Sequence, residues 1–182
     1  MSTTESQTYD LSVVGGGPAG AVSTLYAKRE GLKVLLVDKA RFPRDKICGD
    51  ALSGKAVSIL HELGLLEKVG NLPGATINTI VFGSPDHVDT TLNLSTYEHR
   101  DLLTGKVMPM QGFVIRREIF DNFLFQEAQR VADRCIEGFA VRDLVWENGR
   151  TVGVEGTTDG VTHQFRGKLI LGCDGFNSIV SR

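Results

Sequence analysis

Long apolar runs are missing from this sequence. A membrane-spanning helix needs about 20 consecutive apolar residues, and the longest runs here, such as Val34–Val37 and Leu169–Leu171, are far shorter. A secretory signal is missing too. Residues 1–8 are polar and rich in Ser and Thr, with neither a basic nor an apolar region, and read as a frayed tail. Neither charge is in excess: 20 Lys plus Arg stand against 22 Asp plus Glu, a net charge of −2. That argues against a nucleic-acid partner, which calls for a basic surface. Cysteine is scarce. Cys48, Cys135 and Cys173 are too few and too far apart for a disulfide framework or a zinc site, which makes a reducing cytoplasm the default compartment. His61, His87, His99 and His163 form no pair with metal-ligand spacing, so no metal is assigned. No nucleophile–base arrangement stands out.

What is present is a globular composition and many glycines. The 182 residues suit one large domain or two small ones. With 41% hydrophobic residues the chain can build a core. The 21 glycines carry most of the information through their positions.

Leu11–Val14 is a short apolar run of the kind that fills a buried parallel strand. Helical spacing follows over Ala19–Glu30, with Val22 and Tyr26 on one face and Leu25 beside them, and Gly31 suits the helix end. Lys33–Asp38 is a second strand ending in an acid. These 38 residues read β-α-β. Ala40–Asp50 is a basic, Pro-containing loop. Ala51–Val69 is expected to be helical, with Leu52, Ala56, Ile59, Leu60, Leu63 and Leu66 as its apolar stripe, and Gly70–Gly74 is a turn.

Thr76–Phe82 and Val88–Leu94 form a hairpin around Gly83–Asp86. Residues 95–112 are mostly irregular, with a strand near Val107. Arg117–Asp133 is a helix carrying Phe120, Phe123, Leu124, Ala128 and Val131 on one side. Three β runs then follow, Phe139–Trp146, Thr151–Thr157 and Thr162–Phe165, separated by the hairpin signals Asn148-Gly149 and Asp159-Gly160. Lys168–Cys173 is a last buried strand, with Cys135 and Cys173 as strand residues facing inward.

Gly15-Gly16-Gly17-Pro18-Ala19-Gly20 fits G-x-G-x-x-G between a strand and a helix, the context a dinucleotide fingerprint requires. The first glycine permits the turn, the second lets backbone approach a pyrophosphate, and the third lets helix and strand pack closely. Pro18 fits the helix start, where its missing N–H matters little. Asp38 stands near the roughly 20-residue distance expected for an acid that binds ribose hydroxyls. Glycine spacing does not choose between NAD and FAD, and no second such motif is present for a separate nicotinamide domain.

Three further segments choose. Gly15–Gly20 followed by Val37-Asp38-Lys39, the stretch Val114-Ile115-Arg116-Arg117-Glu118-Ile119-Phe120-Asp121, and Leu169–Gly175 with Ser178 and Arg182 together resemble the FAD-dependent oxidoreductases related to para-hydroxybenzoate hydroxylase. Within that group, Phe42-Pro43-Arg44-Asp45-Lys46-Ile47-Cys48-Gly49-Asp50 is similar to the P-R-x-K-x-C-G loop of the geranylgeranyl reductase family. Flavin halogenases have a related Pro-Arg loop without this Lys and Cys. They also carry a W-x-W-x-I-P segment, whereas Trp146 is the only tryptophan here.

The resemblance implies an α/β fold: a Rossmann-like FAD-binding domain with a parallel sheet, an antiparallel meander and part of an inserted substrate domain. The expected division is a tail at 1–8, FAD-binding residues 9–74 and 113–182 with the meander at 139–166, and the insertion at 75–112. It further implies that Gly15, Gly17, Pro18, Ala19 and Gly20 hold the pyrophosphate, and that Asp38 and Lys39 attend the adenosine ribose. Arg44, Lys46, Cys48, Gly49 and Asp50 would line the flavin side. Arg117 would reach the phosphates or ribitol, with Arg116 as the alternative. Val141 would offer backbone to adenine, and Asp174 and Gly175 would support the pyrophosphate region, a plain turn being the alternative.

Cys48 is the implied catalytic residue. Nearby Arg44 and Lys46 would favour its thiolate, and the alternative is a small residue packed at the flavin edge. The implied activity is reduction of isoprenoid double bonds by hydride from FAD, itself reduced by NAD(P)H or another transient donor. The partner is then an isoprenoid, lipid-like small molecule, and any membrane contact is peripheral. The alternatives are an oxygen-using monooxygenase or halogenase, and a catalytically incomplete nucleotide-binding module. Relatives in this family run to about twice this length, so the chain reads as an N-terminal part that holds FAD poorly by itself.

Overall fold

A computed structural model describes residues 2–96, 99–100, 105, 107–108 and 110–182. The remainder of the stretch expected to be irregular, 95–112, lies outside the described residues. In chain order the strands and helices are β1 (Ser2–Val14), α1 (Pro18–Arg29), β2 (Val34–Asp38), β3 (Ala51–Leu52), α2 (Gly54–Glu62), α3 (Leu66–Gly70), β4 (Ala75–Ile77), β5 (Thr79–Gly83), β6 (Asp89–Asn93), β7 (His99–Arg100), β8 (Val107–Met108), β9 (Gly112–Val114), α4 (Arg117–Val131), β10 (Arg134–Glu137), β11 (Ala140–Glu147), β12 (Arg150–Thr158) and β13 (Val161–Gly172). They fall into two compact units, residues 1–45 with 121–182, and residues 46–120.

The first unit is a six-stranded sheet in the order β10-β2-β1-β13-β12-β11. The four strands β10, β2, β1 and β13 are parallel, and β13, β12 and β11 form the antiparallel meander. This is the Rossmann-like α/β architecture expected from the sequence. β2 is buried at every position, as suits a central parallel strand covered on both faces. One side of the sheet packs Tyr9, Val14, Leu35, Val37, Phe139, Val154 and Phe165 together. The meander turns at Asn148-Gly149 and Asp159-Gly160, all four residues having positive φ, as two-residue hairpins demand.

Several elements differ from the sequence reading. The expected tail at 1–8 extends β1: Ser2–Thr4 pair with Thr162–Gln164, and Thr8 with Arg166. β-branched Thr3, Thr4 and Thr8 suit that role, and β13 offers the free edge because it is one continuous strand rather than two. β10 supplies an extra parallel edge strand that includes Cys135. The buried face of α1 is Gly20, Ala21, Thr24 and Ala27, not Val22, Leu25 and Tyr26. Small residues win because the helix lies close to the sheet. On α4 the buried residues include Phe120, Asp121, Leu124, Phe125 and Ala128, while Val131 is exposed. α1 ends as predicted at Gly31 (φ 74°), where the Gly31 and Leu32 amides donate to Lys28 and Ala27.

The second unit begins at Lys46 and ends at Phe120, wider than the expected insertion at 75–112. The reason is strand pairing: β3 and β4 both pair with β9, which ties 51–52 and 75–77 to 112–114. The single helix expected over 51–69 breaks into α2 and α3 at Gly64 (φ 71°). β5 and β6 form the expected hairpin, and β7 pairs with β8 near Val107.

Candidate dinucleotide site

The first unit gathers three chain segments at the carboxyl ends of β1, β2 and β13. β1 runs into Gly15, whose φ of 103° excludes other residues without strain. Its amide donates to the Val37 carbonyl at 2.8 Å. A Cβ here would stand 2.4 Å from the Cys173 carbonyl oxygen and 2.8 Å from the Asp174 nitrogen. Gly17 then caps α1 in an extended conformation, with Pro18 in the first turn. Among the described residues no side chain caps this helix, and no acid occupies its first turn. Its N-terminal amides and the positive end of its dipole are therefore arranged for an anion.

Asp38 ends β2 and is buried. Its Oδ2 accepts the Gly16 amide at 2.6 Å and its Oδ1 the Ala40 amide at 2.7 Å. One carboxylate thus ties the glycine loop to the loop that follows. Each oxygen keeps a second lone pair for a further donor. Lys39 is exposed. The loop itself is strapped down: the Phe42 amide donates to Glu137 at 2.6 Å, and the Gly138 amide to Ala40 at 3.0 Å. Phe42 stacks on Phe125 with ring centroids 4.0 Å apart and planes 5° from parallel. Phe125 also fills the space a Cβ on Gly16 would need. Arg44 lies over Phe42, 5.1 Å from its centroid, and reaches Asp121 at 3.2 Å. Gly17 lies against its guanidinium, since a Cβ there would be 3.2 Å from Nη2.

The third segment follows β13. The Cys173 amide donates to Val14 at 2.7 Å. Asp174 Oδ2 accepts the Ile179 amide at 2.7 Å, while its Oδ1 is buried with no hydrogen-bond partner among the described residues. Gly175 has a φ of 84°, and residues 174–181 form bends and turns. Val141, on β11, packs its side chain against the core cluster. The Phe139 amide donates to the Asp38 carbonyl at 2.9 Å, which holds the start of this strand beside the acid.

Lys46, Cys48, Gly49, Asp50 and Arg117 belong to the second unit. There Asp50 serves α4: its Oδ1 accepts the Arg117 amide at 3.2 Å, and its carbonyl accepts the Ile115 amide at 3.0 Å. Arg116 pairs with Glu118 at 2.9 Å. Cys48 is exposed. The other two thiols are held protonated. Burial, helped by the charges of Glu137 and Asp38, pushes Cys135 up to about 12, and burial also raises Cys173. Sequence reasoning quoted Phe42 and Asp121 only within longer motifs, gave neither a role, and passed over Phe125.

These residues fit FAD. The glycines leave a cradle that any side chain would fill, and the uncapped helix and Arg44 suit a pyrophosphate. Asp38 and the orphaned Asp174 Oδ1 can accept hydroxyl donors. Among the described residues no helix is long and apolar enough to cross a membrane.

Comparison with known proteins agrees. The family model described as FAD binding domain matches residues 8–182. The chain is 29% identical over 178 residues to the 1H-pyrrole-2-carbonyl-[peptidyl-carrier protein] brominase of Pseudoalteromonas luteoviolacea, covering 98% of the chain and 40% of the brominase. It is 32% identical over 178 residues to the digeranylgeranylglycerophospholipid reductase of Methanocella arvoryzae, covering 96% of the chain and 41% of the reductase. A shorter stretch of 56 residues is 55% identical to the menaquinone reductase of Mycobacterium tuberculosis, 31% of the chain and 14% of that protein. Among solved structures, a geranylgeranyl bacteriochlorophyll reductase-like protein from Thermoplasma acidophilum superposes with a TM-score of 0.75 at 25% identity, over 96% of this chain and 40% of that one. The chain thus spans about two fifths of the relatives it matches along its whole length. It belongs to the FAD binding domain family.

Proposed function

We propose that the chain forms the FAD site of an oxidoreductase that reduces double bonds in an isoprenoid substrate. The 55% identity over 56 residues to a menaquinone reductase favours a reductase. The Pro43-Arg44-Asp45-Lys46-Ile47-Cys48-Gly49 loop supports it. So does the 32% identity to a reductase named for a digeranylgeranyl lipid.

FAD, when bound, supplies hydride transfer chemistry. The chain's residues bind and orient. The Gly15–Gly20 backbone and the first turn of α1, including Pro18 and Ala19, face the pyrophosphate, and Arg44 adds a guanidinium. Asp38 accepts ribose hydroxyls beside Lys39, and Val141 offers backbone to adenine. Asp174 Oδ1 accepts a sugar-alcohol hydroxyl, with Gly175 allowing the turn. From the second unit, Arg117, Lys46, Gly49 and Asp50 carry over from the resemblance as flavin-side residues. Cys48 shapes the substrate side or delivers a proton there. NAD(P)H or another donor docks transiently, and contact with a lipid phase is peripheral.

FAD is titrated into the purified chain and followed in the visible spectrum. Saturable binding is expected, with weak retention on desalting. No perturbation of the flavin bands at any concentration would sink the reading. The reaction class is then decided anaerobically with a reductant and a geranylgeranyl substrate. A product heavier by one H2 per double bond is expected, with turnover lost in C48A. The 29% identity to a brominase over 98% of the chain favours an oxygen-using halogenase or monooxygenase as second reading, and a product that forms only with oxygen would select it.

A further inference from the structure

Asp121 is fully buried, and a buried carboxylate is tolerated only when paired or hydrogen-bonded. Its Oδ2 lies 3.2 Å from Arg44 Nη1. That nitrogen is itself buried and makes no aligned hydrogen bond among the described residues, so the pairing is by charge and not by a donor–acceptor contact. The other end of the guanidinium lies against Gly17, the N-cap of α1. The arrangement is electrostatically odd on its own. A cation at the positive end of a helix is unfavourable, and that first turn contains no acid to offset it. Arg44 is nevertheless held there rather than released to solvent. Asp121 holds it from one side, and Phe42 braces it from below. Phe42 in turn stacks on Phe125, four residues along α4 from Asp121. One face of α4 therefore fixes both the charge and the ring that set the guanidinium.

We propose that Asp121 is a positioning residue for the dinucleotide: it holds Arg44 at the amino end of α1, where guanidinium and helix amides converge on one pyrophosphate. Asp121 keeps the cation in place before the anion arrives, and it touches no ligand itself. The inference rests on the FAD reading above.

The test is a double-mutant cycle on FAD affinity, read by flavin fluorescence at several salt concentrations. R44Q and D121N are each expected to weaken FAD by about tenfold and to flatten its salt dependence, because both remove the same placed charge. The double variant is expected to be no weaker than R44Q. An unchanged FAD affinity in D121N overturns the proposal. So does a D121N penalty that persists in the R44Q background, which marks a purely structural acid. Should D121N lose its helical circular dichroism, D121E enters the same cycle. It keeps the charge but moves it by one methylene, and the same loss and non-additivity are expected. Wild-type protein without saturable FAD binding overturns the flavin reading, and this proposal with it. Wild-type binding with an additive cycle overturns this proposal alone.

Discussion

A Cβ on Gly20 would stand 1.7 Å from the carbonyl oxygen of Gly15. The first turn of α1 therefore touches the backbone of the turn that leads into it. Two effects oppose each other in G20A. Alanine gains up to about 1 kcal/mol of helix propensity over glycine. The clash is with backbone, which has no rotamer to give, and Val13 closes the space at 3.1 Å. The clash wins. G20A is expected to lose at least about 3 kcal/mol in urea denaturation, together with FAD binding. Stability equal to wild type would mean that helix and loop are not in contact.

That contact was legible in the sequence because it is local. Three spaced glycines within six residues, between an apolar run and a helical one, mark a strand that turns sharply into a closely packed helix. The first two strands, the hairpin turns and the place of Asp38 at the end of β2 were legible for the same reason. The misreadings share one cause, which is tertiary context. Val22, Leu25 and Tyr26 have the apolar stripe of a buried helix face, yet the sheet accepts only the small side of α1. Ser2–Thr8 is too polar to predict as a strand until β13 is known to run past the core. In the sequence Asp121 stands only as the last residue of the Val114–Asp121 segment, with no partner indicated. Only the fold brings Arg44, 77 positions earlier in the chain, to its carboxylate.

Asp38 gives a second prediction. Both of its oxygens accept backbone amides, Gly16 at 2.6 Å and Ala40 at 2.7 Å. Asparagine has nearly the same shape but only one accepting oxygen. In D38N the amide group must face one of these N–H donors and leave it unpaired in a buried site. The expected cost is about 2 kcal/mol, read as a lower denaturation midpoint at unchanged slope. D38A leaves both donors unpaired and is expected to cost more. A neutral D38N would show that the two amides have other acceptors.

Asp133 supplies the pH dependence. Its Oδ2 accepts both the Lys28 ammonium and the Val34 amide at 2.7 Å, which joins the end of α1, the start of β2 and the end of α4. Burial resists ionisation of this carboxyl, but the bonds from Lys28 and Val34 outweigh it and hold it below the usual 3.8. A depressed folded-state value means the unfolded chain binds the proton first. The stabilisation is therefore present above about pH 4 and is lost as pH falls through the lowered folded value. The side chain is 31% exposed, so solvent limits the contribution to about 1 kcal/mol. D133N should be less stable than wild type by that amount at neutral pH, and the two stability curves should converge once the pH has fallen below the lowered folded-state value. A gap that stays constant from neutral pH into acid would assign the effect to packing, because an ionised carboxylate is the only part of this interaction that a proton removes.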